Sequence, residues 1–193
     1  HEIAVELASY LGTIKKNCEP NSRLVNAYQS TSQLQKLLTQ NESTIQSQSF
    51  QPARYMRSFK KDQKIHQAFI TLNQEIEAFG RCFEFGQNIY YQDPQLKLFI
   101  DQTIDQVQHE IKRLASWCLK FHQTMDKNAP PEYNLAPLNS LYLEIESEIQ
   151  NALLLFKQSS INALSLVELI GLNYQLQIIV HELQKFSVLM VVP

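Results

Sequence analysis

Asp101, Asp105 and His109 follow one another at intervals of four residues. On a helix this spacing sets two carboxylates and an imidazole along one line, with Glu110 beside them. A divalent cation takes such ligands. Metal centres in helical bundles draw Glu-x-x-His pairs from two helices, and no such pair occurs in this sequence. A solvated face with an Asp–His contact accounts for the same three residues. No metal or other cofactor is therefore expected, and Asp101, Asp105 and His109 mark where an ion would lie if one were bound. His109-Glu110 and His181-Glu182 begin like zinc-protease helices, but the second histidine is replaced by Arg113 and Lys185. Cys118 and His122 lie one turn apart, the spacing of a thiol nucleophile and its base. Cys118 falls on an apolar stripe, where a thiol is usually inert, and no third group stands ready to orient the histidine. No catalytic residue is expected.

The basic residues carry more information. Arg54, Arg57, Lys60, Lys61 and Lys64 fall within eleven residues, opposed only by Asp62. Arg54, Arg57, Lys61 and Lys64 share one helical face. If a helix opens near Pro52, these cations occupy its first turns, where the macrodipole favours anions. Solvation beside acidic neighbours is one explanation. Contact with phospholipid headgroups or a partner is the other, since each basic residue near an anionic leaflet contributes about 1 kcal/mol. Nucleic acid is not expected, because the net charge over 193 residues is -2.

These groups must be placed by helices. Ile100, Ile104, Val107, Ile111, Leu114, Cys118 and Phe121 recur in steps of four and three, the signature of one helical face. Further stripes are Ala4–Leu7–Leu11–Ile14–Cys18; Ala27–Thr31–Leu34–Leu38–Ile45; Ile65–Phe69–Leu72–Ile76–Phe79–Phe83; and Leu138–Tyr142–Ile145–Ile149–Ala152–Phe156. The second is weaker and fades over 41–49, which reads as a frayed end and loop. Gly80 and Gly86 weaken the third helix toward its end, and Asp93-Pro94 breaks it. The last helix is apolar on more than one side. Ile161, Leu164, Val167, Ile170, Tyr174, Ile178 and Leu183 form one face, and Leu166, Leu169, Leu172, Leu176, Ile179 and Phe186 add others. Such a helix sits inside its bundle or against another surface. The expected fold is an all-α bundle of about six mostly antiparallel helices, one domain over 1–193, with a proline-rich crossing at 128–137.

Composition agrees. Hydrophobic residues make up 44%, charged residues 19%, and four glycines leave little material for turn-rich β folds or phosphate-cradling loops. Three widely spaced cysteines form neither a disulfide framework nor a CxxC pair, which favours a reducing compartment. No stretch of about 20 residues is apolar enough to span a bilayer. The chain begins at His1 and closes on an apolar run, as an excised segment of a longer chain would.

Leu7-Ala8-Ser9-Tyr10-Leu11, then Lys15-Lys16 and Glu19-Pro20, resemble the segment that follows the first membrane half of FUSC-type, aromatic-acid-exporter-like bacterial inner-membrane proteins. The stretch from Phe50 to Ile76 is similar to that family's basic-then-helical middle region, and Val180 to Pro193 to its approach to the second membrane half. The resemblance implies a non-enzymatic helical domain at the cytoplasmic face of a bacterial inner membrane. Its role would be assembly or gating beside the membrane segments of its own full-length chain, as a homo-oligomer or against anionic headgroups. The rival readings are a sensor bundle of a chemoreceptor or histidine kinase, and a soluble helical scaffold that binds partner helices.

Overall fold

The computed structural model describes residues 1–17, 25–48, 56–85, 94–124, 134–157 and 163–191. Among them are six helices and no strand: α1 (Glu2–Asn17), α2 (Val25–Gln48), α3 (Met56–Phe85), α4 (Pro94–Thr124), α5 (Ala136–Lys157) and α6 (Ala163–Val191). The chain folds as the all-α bundle that the periodicity requires. Of the seven-residue stripe on α4, the five residues whose side chains are described are all buried: Ile100, Ile104, Val107, Ile111 and Leu114. Cys18, Cys118 and Phe121 fall outside the described side chains.

Contacts of α1 with α3 and α4, and of α6 with the same two helices, close a ring of four. Helix α2 lies over α1 and α3, and α5 lies mainly over α6. The pairs α1–α4, α3–α6 and α5–α6 run antiparallel. On α1 and α4, the Gln108 amide donates to the Ala8 carbonyl (2.6 Å), while Lys15 donates to the Asp101 carbonyl (3.3 Å). On α3 and α6, Gln175 donates to the Glu75 carboxylate (2.7 Å), and further along Phe69 meets Phe186 with ring centroids 4.6 Å apart. On α5 and α6, the Gln184 amide donates to Asn139 Oδ1, and the Tyr142 ring lies tilted against His181 with centroids 6.3 Å apart.

Three local expectations change. Helix α2 does not fade over 41–49; it continues to Gln48. Ile45 is buried there and the Asn41 amide meets His66 on α3 at 2.9 Å, so tertiary contact holds a segment whose own polar sequence would fray. Gly80 does not end α3, which passes through it to Phe85, while Gly86 and Asp93 lie outside the described residues. A Cβ at Gly80 would lie 3.2 Å from Ile14 Cδ1, a tight contact with α1. Helix α5 starts at Ala136, two residues before the expected Leu138. Asn134 Oδ1 accepts the Ala136 N–H (2.9 Å), a cap that outranks the reading of 128–137 as linker throughout. Residues 128–133 lie outside the described residues.

Helix α6 packs against α3, α4 and α5, yet it is not covered all round. Leu166, Leu169, Leu172, Leu176, Ile179, Val180, Leu183 and Phe186 are buried. Val167 and Tyr174, which share one face by spacing, are 67% and 57% exposed. No described helix is long and apolar enough to cross a membrane.

Candidate functional site

The carboxylates that would suit a metal are taken by lysines. Lys15 reaches Asp105 at 2.7 Å and Lys97 reaches Asp101 at 3.1 Å. An ammonium already neutralises each charge that an ion would need, and His109 is exposed beyond them. Among the described residues no three His, Cys, Asp or Glu side chains converge on a point. Glu110 turns inward on the same helix, where Arg113 donates to it from Nε at 2.9 Å and also to the Asn134 carbonyl at 2.6 Å. That buried pair ties α4 to the start of α5, a structural use for the charge. Glu182 is paired with Lys185 at 2.7 Å, and His181 faces Tyr142. His122, the spacing partner of Cys118, lies outside the described side chains.

The basic cluster meets a concave surface. Helix α3 begins at Met56 with no acidic residue in its first turn, and Lys60 and Lys64 follow in its second and third turns. Lys60, Gln63, Lys64 and Gln67 stand at i, i+3, i+4 and i+7, one face of the helix. Together with Glu42, Ile45 and Gln46 of α2 they line a groove of about 450 Å³, and His66 lies on its inner side. His66 is buried, and its Nδ1 lies 2.9 Å from the Asn41 amide nitrogen. The direction of that hydrogen bond follows the ring's tautomer. The groove therefore offers two ammoniums and the amides of Gln63 and Gln67, with a buried imidazole among its lining residues.

Against these stands one carboxylate, Glu42. It accepts from Gln46 at 3.3 Å along its own helix. Neither Lys60 nor Lys64 makes an ion pair or hydrogen bond with any described residue. Two like charges one turn apart destabilise a helix by a few tenths of a kcal/mol, and neither lysine closes an ion pair with a described carboxylate. By contrast Lys15, Lys97 and Lys185 each hold a carboxylate.

The structure thus regroups the predicted site. Lys60 joins Lys64 on the groove, where the sequence pairs Lys61 with Lys64; Lys61 is half-buried to one side. Arg57 stands on α3 three residues before Lys60, its side chain outside those described, and Arg54 lies outside the described residues. The α2 wall is invisible to sequence reading because 41–49 looks like loop. The Lys60–Gln63–Lys64–Gln67 spacing is the available signal. No family model, no curated protein and no solved structure matches this chain.

Proposed function

We propose that this bundle is a non-enzymatic contact domain that works through the lysine-lined edge of the α2–α3 groove, as the cytoplasmic part of a bacterial inner-membrane protein of the efflux type. The observation that carries the reading is the pair Lys60 and Lys64, cationic, one turn apart on one wall of the groove, and in no ion pair with a described carboxylate. A compensating anion outside the chain relieves the like-charge repulsion. An anionic leaflet supplies one, and the helical bundle beside it would act in assembly or gating of the membrane segments, as a monomer or a homo-oligomer.

The first test is sedimentation with vesicles. Protein carrying both Lys60→Glu and Lys64→Glu should lose binding to vesicles of phosphatidylglycerol and phosphatidylcholine by at least tenfold at low salt. The change is four charge units at a surface where each is worth about 1 kcal/mol before screening. Equal binding by the original and the double variant rules the edge out. The second test is the gene: flanking blocks of several membrane helices on both sides are required by the efflux reading, and one helix on each side would point to a sensor instead.

A second reading has one observation in its favour. Val167 and Tyr174 expose a patch of α6, and Gly171 between them has open space where a Cβ would go. A scaffold that takes partner helices would present such a face. It predicts that Val167→Asp with Tyr174→Asp abolishes association with a partner while the melting temperature stays within a few degrees. A variant that keeps every association disposes of this reading.

A further inference from the structure

We propose that the α2–α3 groove is a binding site for a phosphate monoester carried on a small hydroxyl-bearing body. This rests on the reading that the groove's lysine edge is the working surface, and it names what the edge takes.

The ligand class follows from the groove's chemistry. Lys60 and Lys64 lie one turn apart on one wall, so both ammoniums can converge on one anionic group. Lysine serves phosphate as a point charge with three donors and imposes no planar fork, which a carboxylate would prefer from arginine. A dianionic phosphate matches two cations and still outweighs Glu42. The buried imidazole of His66 also lines the groove, with its Nδ1 held 2.9 Å from the Asn41 amide. The remaining polar groups, the amides of Gln46, Gln63 and Gln67, both donate and accept, which suits hydroxyls. Glu42 can accept from a hydroxyl as well. Ile45 supplies the apolar contact. At about 450 Å³ the groove matches the size of a sugar phosphate or an inositol phosphate headgroup.

Two sources carry this chemistry: a soluble phosphorylated metabolite and a monoester lipid headgroup. The experiment separates them. The whole 193-residue chain is titrated, with amide and side-chain NMR shifts as readout, with glucose 6-phosphate, glycerol 3-phosphate and glucose. The same protein is sedimented with phosphatidylcholine vesicles containing either phosphatidic acid, a monoester, or phosphatidylglycerol, a diester. The proposal expects saturable shifts at Gln63, Lys64, His66 and Gln67 with at least one phosphate ester, and none with glucose. It also expects at least tenfold weaker binding in a Lys60→Gln, Lys64→Gln variant, with Lys36→Gln, exposed on α2, unchanged.

Binding of glucose 6-phosphate without preference for phosphatidic acid vesicles identifies a soluble metabolite. Binding of glycerol 3-phosphate together with preference for phosphatidic acid identifies a headgroup. No shift with either ester, together with equal binding to both anionic vesicles that still needs the lysines, overturns the ligand assignment and leaves the contact edge standing. Loss of nothing in the lysine variant overturns both.

Discussion

Replacing Asn173 by leucine should stabilise the fold by about 1–3 kcal/mol, seen as a rise in melting temperature of about 2–12 °C. Asn173 is fully buried on α6, and neither its Nδ2 nor its Oδ1 has a hydrogen-bond partner among the described residues. An unpartnered amide keeps its full desolvation penalty, which leucine of similar length does not carry. It sits one residue from the buried Leu172, three from Leu176 and four from Leu169, so an apolar side chain meets apolar neighbours on its own helix. The added methyl volume works the other way by up to about 1 kcal/mol if the neighbours cannot shift. Thermal and urea unfolding of the two proteins decide it. A destabilised leucine variant would mean that the amide is solvated by an internal water that binds the helices together. If instead the variant is more stable but loses the lysine-dependent contact, the polar group is kept for function at the expense of stability.

Phe79→Ala should have the larger effect and the opposite sign, a loss of about 3–5 kcal/mol. Phe79 is fully buried on α3 and meets Phe83 edge to face, with centroids 5.6 Å apart. Removing it forfeits the transfer free energy of the ring, the aromatic pair, and the dispersion attraction that an emptied space no longer gives its walls. Stabilities of single domains are about 5–15 kcal/mol, so the change removes a third or more of the total in most of that range. A shift of the urea midpoint at constant slope is the measurement. A loss under 1 kcal/mol would show that α3 is not seated in the ring of four as described.

Lys60 and Lys64 show how the candidate site was partly legible. Their charge and their mutual repulsion one turn apart are properties of the string of letters, because side-chain spacing is local once a helix is assumed. Their lack of a partner among the described residues is not local. Asp105 and Asp101 look like free ligands in the sequence, yet Lys15 comes ninety residues along the chain to reach the first of them. Which carboxylate a lysine meets depends on which helices become neighbours, and one-dimensional spacing carries no record of that. The same limit hid Asn41 and Ile45, whose segment is polar enough to fray alone and is held by His66 and the core. It also misplaced the Val167–Tyr174 face, since an all-round apolar helix does not say which side its neighbours leave open.

By itself the sequence determined that this protein is a bundle of amphipathic helices, because a 3.6-residue turn converts steps of three and four into one greasy face that water drives inward. The described side chains of the α4 stripe lie buried as that rule demands. Only the tertiary structure decided which helices form the ring, which charges cancel, and that two lysines stand over a groove without closing an ion pair to a described carboxylate. Those are outcomes of pairing between distant segments, set by packing and close approach across helices.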